Sequence, residues 1–113
     1  LTGYIQLPNL LFICSKNQWR SPTAELLFKN HPVHTVRSGG TSDKARIKVN
    51  EKLLLWADVL FVMEHKHRDI LQKRFPLIIS AKQIIVLNIA DNYRFNDPEL
   101  IILLKTALSS YLL

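Results

Sequence analysis

Apolar residues in this chain gather into short continuous runs, separated by longer stretches in which apolar and polar positions mix at helical spacing. The clearest run is Leu10 to Cys14, Leu-Leu-Phe-Ile-Cys, preceded by Asn9. A run of that length without alternation fits a strand buried on both faces, and the mixed stretches fit the helices that return the chain for the next parallel strand. The unit occurs four times with no sequence repeat, which predicts an α/β domain. Strand one is Asn9 to Cys14. Helix one runs from Pro22, suited to a first helical position, to about Asn30, with Pro32 closing it. Strand two is Val33 to Arg37, left by the turn Ser38-Gly39-Gly40-Thr41. Asn50 to Trp56 makes a short helix before strand three, Asp58 to Met63. Helix three is His65 to about Phe75, ended by Pro76, and strand four is Gln83 to Ile89. Asp97 is the cap of a last helix that opens at Pro98 and reaches about Tyr111.

Ligands of such sheets bind beyond the carboxyl ends of the strands. In this reading Cys14, Ser38, Glu64 and Asp91 each lie just past a strand end, so the candidate chemistry shares one rim. The chain has 113 residues, and its 48% hydrophobic and 21% charged composition is ordinary globular usage, so residues 1–113 are read as a single domain without a linker. No apolar run approaches the roughly 20 residues of a membrane helix, and Leu1 to Pro8 lacks the basic-then-apolar order of a signal peptide. The expectation is a soluble protein with no membrane partner.

Cysteine and charge narrow the classes. Cys14 is the only cysteine, which excludes a disulfide framework and a Cys-rich metal site; a free thiol used as a nucleophile suits a reducing compartment, so cytoplasm is the expected location. The net charge of +6 favours anionic partners. Lys66, Arg68, Lys73 and Arg74 lie together on helix three without interleaved stacking aromatics, so they read as a solvated face and argue against nucleic acid. His31, His34, His65 and His67 lack ligand spacing with a third ligand, read as solvated loop or helix residues, and predict no metal.

The loop after strand one concentrates the remaining chemistry. A loop wrapping into a helix start points successive backbone N–H groups inward, and the positive end of the helix dipole adds to their field. That field suits a phosphate and favours a thiolate at Cys14, a nucleophile at cellular pH. Arg20 brings a planar fork that holds two phosphoryl oxygens at once. Read blandly, Cys14 is a small buried hydrophobe, Arg20 a surface ion pair, Ser21 an N-cap and Asn17 a residue that tolerates the left-handed conformation. A cation at a helix N-terminus is nevertheless poorly placed unless an anion lies between, which favours the ligand-binding reading.

Cys-x5-Arg-Ser-Pro, with Asn17 inside the loop, resembles the signature loop of the low-molecular-weight protein tyrosine phosphatases. Ser38-Gly39-Gly40-Thr41 is similar to that family's Ser-Ala-Gly-Thr, Ala57 to Glu64 to its third strand, and Asp91-Asn92-Tyr93 to its Asp-Pro-Tyr, so the likeness covers nearly the whole chain. It implies a three-layer sandwich with a four-stranded parallel sheet in the order 2-1-3-4 flanked by helices. It further implies a phosphate-binding loop of Cys14, Ser15, Lys16, Asn17, Gln18, Trp19, Arg20 and Ser21, with Cys14 as nucleophile and the Ser21 hydroxyl on its sulfur. Asp91 is the implied general acid, and Tyr93 a wall of the pocket. Asp97 precedes a proline as the family's acid does, but at a helix start it is better explained as a cap.

The chain departs from the family at Lys16, where a small residue is usual, and at Trp19, where a second cysteine is usual. Lys16 adds positive charge near the phosphate; Trp19 either narrows the mouth of the pocket or packs under the loop. After Thr41 the family has an aromatic, whereas this chain has Ser42-Asp43-Lys44-Ala45-Arg46 and a shorter segment, which leaves phosphotyrosine preference open. The overall form is nearest to a compact bacterial branch of phosphatase-like proteins. The leading reading is a cysteine-dependent phosphomonoester phosphatase that needs no cofactor and acts on a phosphorylated protein or a small phosphomonoester, with phosphate or sulfate as loop ligand. Two alternatives stand beside it: a non-catalytic module that binds a phosphorylated partner, and an arsenate reductase, which the lone Cys14 disfavours because that mechanism passes a disulfide along further cysteines.

Overall fold

The computed structural model describes residues 8–112; residues 1–7, part of the stretch read above for a signal peptide, and Leu113 lie outside it. In chain order the elements are β1 Asn9–Cys14, α1 Arg20–Phe28, β2 Thr35–Gly40, α2 Glu51–Trp56, β3 Val59–Val62, α3 His65–Arg74, α4 Pro76–Ser80, β4 Gln83–Val86 and α5 Pro98–Leu112. The strands form one parallel sheet in the order β2-β1-β3-β4. This is the topology that the family resemblance implies. Among the described residues no helix is long and apolar enough to cross a membrane.

β1 is paired along both edges, from Asn9↔Thr35 to Cys14↔Gly40 on one side and from Leu10↔Val59 to Ile13↔Val62 on the other. That central place explains its unbroken apolar run, because both faces must be covered. Leu10, Phe12 and Cys14 pack with Ala24 and Phe28 of α1 and with Leu100, Leu104, Leu108 and Leu112 of α5. Leu11 and Ile13 point the other way, toward Leu54 of α2, Leu71 of α3 and Ile79 of α4. The result is three layers, with each fully buried aliphatic side chain contributing roughly 1.5–3 kcal/mol.

The structure differs from the sequence reading at three places that bear on the site. Strand two starts later and runs through the Ser38-Gly39-Gly40 stretch expected to be a turn. Gly40 exchanges hydrogen bonds with Ile47 and Val49, so the strand continues and the chain turns only after it. Glycine is needed there for close approach: a Cβ on Gly40 would lie 2.5 Å from the Ser15 carbonyl oxygen. Pro76 does end α3, but it also sits in the first turn of α4, a helix absent from the sequence reading. Strand four stops at Val86, not Ile89, because Asn88 takes a left-handed φ of 59°. At the start of α5, Asp97 Oδ1 accepts the Glu99 amide at 2.8 Å, as a cap should.

Candidate active site

Five residues, Ser15 to Trp19, carry the chain from the end of β1 to the start of α1. Asn17 holds the tightest part of that loop in a left-handed conformation, φ 54°, which asparagine tolerates better than most residues. Its buried amide donates to Ser21 Oγ at 2.9 Å and Ser38 Oγ at 2.8 Å. Ser38 in turn donates to the Glu25 carboxylate.

The outer side of the loop is tied down by the segment after β2. The carbonyls of Cys14, Ser15 and Lys16 accept the amides of Thr41, Ser42 and Arg46, at 3.0, 2.9 and 3.0 Å, and Arg46 Nε reaches the Asn17 carbonyl at 3.1 Å. A trans peptide carries its N–H opposite its C=O, so binding the carbonyls on one side leaves the amides to the other. Among the described residues, the amides of Ser15 to Trp19 find no protein acceptor. Such a concentration of unmet donors calls for an anion. Arg74 braces this arrangement by donating to the Thr41 carbonyl at 2.7 Å, so it is not only part of the solvated face read from helix three.

A cleft of about 100 Å³ opens at the loop, lined by Cys14, Ser15, Lys16, Gln18, Trp19, Arg20 and Asp91. Cys14 is 3% exposed, and its Sγ lies 3.0 Å from Ser21 Oγ. Ser21 and Asn17 are buried behind the cleft and act on it through that contact. Trp19 is exposed at the cleft with the Arg94 guanidinium 5.7 Å from its ring centroid, so it stands at the mouth and does not pack under the loop. Tyr93 is half-buried against the core on the α5 side and is not among the lining residues. Asp97 is occupied as a helix cap and is not among the lining residues.

Arg20 is 1% exposed, and its surroundings fix its direction. Nη1 donates to Glu64 Oε2 at 2.5 Å and to the Ile89 carbonyl at 2.8 Å, while Nε lies 3.5 Å from Asp91 Oδ1. Burial raises the affinity of the Glu64 carboxyl for a proton, but the hydrogen bond and charge of Arg20, with Lys66 and His67, more than offset it, so its pKa lies below the ordinary value. Glu64 therefore stays ionised as counter-charge to a buried guanidinium. The sequence placed Glu64 at a strand end without a role; its partner is 44 residues away, beyond the reach of local pattern.

His67 requires a correction. It was read as solvated, yet it is fully buried, with Nε2 2.9 Å from Ser15 Oγ and Nδ1 accepting the Glu64 amide at 3.1 Å. Burial, then the charge of Arg20, lowers its pKa to about 4. The available signal was its i, i+4 spacing from Leu71, the other buried residue of α3, which puts both on the inward face. The other histidines do not converge with it. His31 and His34 lie 4.8 Å apart between ring centroids, and His65 is exposed.

No family model matches the chain. The low-molecular-weight protein-tyrosine-phosphatase Ptp of Acinetobacter johnsonii is 30% identical to it over 96 residues, covering 68% of that protein. Among solved structures, the tyrosine phosphatase Wzb from Escherichia coli K30, in complex with phosphate, superposes with a TM-score of 0.76 at 22% identity, over 93% of this chain and 96% of that one. The YwlE arginine phosphatase from Geobacillus stearothermophilus superposes with a TM-score of 0.62 at 22% identity, over 91% of this chain and 84% of that one. The sequence relative and the shared fold agree with the loop geometry, and the chain belongs to the low-molecular-weight protein tyrosine phosphatase family.

Proposed function

We infer that the protein is a cysteine-dependent phosphomonoester phosphatase that works through a phosphocysteine intermediate. The observation that carries this reading is the loop itself: carbonyls bound on the outside, amides without acceptors among the described residues, a cysteine sulfur at its base and a directed guanidinium at its side. In the first step the Cys14 thiolate attacks phosphorus and the bond to the leaving oxygen breaks. Asp91 gives its proton to that oxygen, while Arg20 and the loop amides hold the equatorial oxygens as their charge grows. In the second step Asp91 takes a proton from water, the water oxygen attacks phosphorus, and the sulfur–phosphorus bond breaks to release phosphate. The Ser21 hydroxyl, 3.0 Å from the sulfur, donates to the departing thiolate.

The substrate we propose is a phosphotyrosyl side chain of a protein. The Acinetobacter relative is named as a protein-tyrosine phosphatase, and Wzb of Vibrio vulnificus is solved with benzylphosphonate, an aryl analogue. A cysteine only 3% exposed also suits a long phosphorylated side chain better than a short one. Phosphate and sulfate, each bound by Wzb of Escherichia coli K30, are the proposed simple loop ligands here.

Hydrolysis of p-nitrophenyl phosphate by the purified chain tests the reading. Cys14→Ser should lower turnover by about 10⁴-fold or more and still bind phosphate, since a serine hydroxyl has no adjacent base to activate it. Substantial hydrolysis by that variant rules out Cys14 as nucleophile, and an inactive wild type that binds phosphate points to a binding module.

A further inference from the structure

His67 is buried, touches the cleft through Ser15, and plays no part in the steps above. Its two ring nitrogens are distinguished by their partners. Nδ1 receives the Glu64 amide, and an N–H donor is met only by a bare nitrogen, so the ring proton resides on Nε2 and is donated to Ser15 Oγ. The first turn of α3 enforces this state, because Glu64 and His67 form a reciprocal capping box. The groups that face the ring act on its charge as expected from their signs: Arg20 and Lys66 disfavour protonation, Glu64 and Asp91 favour it, and burial, the largest effect, disfavours it.

A hydroxyl has one proton to give. With His67 donating to it, Ser15 Oγ has no other protein partner among the described residues, and Ser15 lines the cleft. Its proton is left for the occupant. We propose that His67 is a positioning residue that, by donating to Ser15, turns the Ser15 hydroxyl into a hydrogen-bond donor for the bound phosphoryl group. This rests on the reading of the cleft as a phosphate site. It adds to the backbone amides and Arg20 a side-chain donor whose direction is set from 52 residues away. Without the ring the hydroxyl rotates freely, and its proton is no longer committed to the anion.

The test titrates inorganic phosphate into the full chain by calorimetry, with ¹⁵N NMR reading the His67 ring. The ring should be neutral and protonated on Nε2 throughout about pH 6–8, well above its lowered pKa. Ser15→Ala should weaken phosphate about tenfold, the scale of one hydrogen bond to a charged group. His67→Ala should weaken it similarly, and the double variant should be no worse than either, because both remove the same donor. His67→Gln, whose amide reaches toward the same oxygen, should recover most of the affinity. A ring protonated on Nδ1, unchanged phosphate affinity in Ser15→Ala, or additive losses in the double variant would each overturn the proposal. Should His67→Ala fail to fold, the wild-type spectrum and Ser15→Ala still decide. A wild type that does not bind phosphate overturns the reading of the cleft itself, whereas binding that is indifferent to Ser15 overturns this proposal alone.

Discussion

The two segments that meet at the cleft are built very differently. The loop Cys14 to Arg20 is held by bonds to β2, to the Thr41–Arg46 segment and, through Ser15 and Arg20, to α3 and its cap, with Asn17, Arg20 and Ser21 buried. The segment from Leu87 to Asp97 that carries Asp91 has no regular structure, and Asp91 is 52% exposed. It is pinned at the ends, where the Ile89 amide meets the Met63 carbonyl and the Asn96 amide meets Thr23 Oγ1. Both pins adjoin left-handed asparagines, Asn88 and Asn96. The contrast suits the roles proposed above: donors that must fit a phosphate before it arrives gain from being preorganised, while a proton donor that follows the leaving group needs reach more than rigidity.

The largest effect that sharpens this contrast lies on the looser segment. Asp91→Asn should slow poor leaving groups by roughly 10²–10⁴-fold and activated aryl phosphates far less, with phosphate binding little changed. A Brønsted series of substituted phenyl phosphates measures it; equal losses across the series would remove Asp91 from the role of acid.

Acid should act on the rigid region. The pKa of His67 is lowered in the folded chain, so the unfolded chain binds more protons between about pH 6.5 and 4, and stability falls as pH drops through that window. The full loss for such a shift is about 3 kcal/mol. Glu64, also lowered, contributes in the same direction but only near and below its ordinary carboxylate range. Denaturant melts at a series of pH values should show the upper part of this slope in the wild type and lose it in His67→Gln.

Gly40→Ala strikes the loop from behind. Its Cβ would meet the Ser15 carbonyl at 2.5 Å and the Ala45 Cβ at 2.7 Å, so the loop must shift. Since about 1 Å of misplacement costs on the order of 10²-fold, kcat/KM for p-nitrophenyl phosphate should fall by about that factor. Wild-type kinetics in this variant would mean that the loop is less constrained than its bonds imply. The smallest effect belongs to Asp97→Ala, which should cost about 1 kcal/mol of stability through loss of the helix cap, with turnover unchanged in leaving-group dependence. A leaving-group-dependent loss here would exchange the roles of Asp97 and Asp91.

What the sequence determined by itself was local. The unbroken apolar run from Leu10 to Cys14, with Asn9 before it, predicts β1, since a central parallel strand must be apolar on both faces. Asn17 marks the loop, and Ser21 and Pro22 mark the helix to within two residues of its start at Arg20, through backbone preferences that act within a few residues; the cap position falls to Trp19, not Ser21. The same local logic failed where one residue served two neighbours. Pro76 ends one helix and opens the next, and Gly40 continues a strand, bonded to Ile47 and Val49, where a glycine is needed because the Ser15 carbonyl comes too close for a side chain. Only the tertiary structure decided that Glu64 fixes Arg20, that Trp19 stands at the mouth, that Tyr93 joins the core and that His67 is buried against Ser15. The pairs Arg20–Glu64 and Ser15–His67 lie 44 and 52 residues apart, and they meet because β1 and β3 are neighbours in the sheet. Periodicity tells which face of an element is buried, but which polar groups that burial brings together follows from the order of the strands.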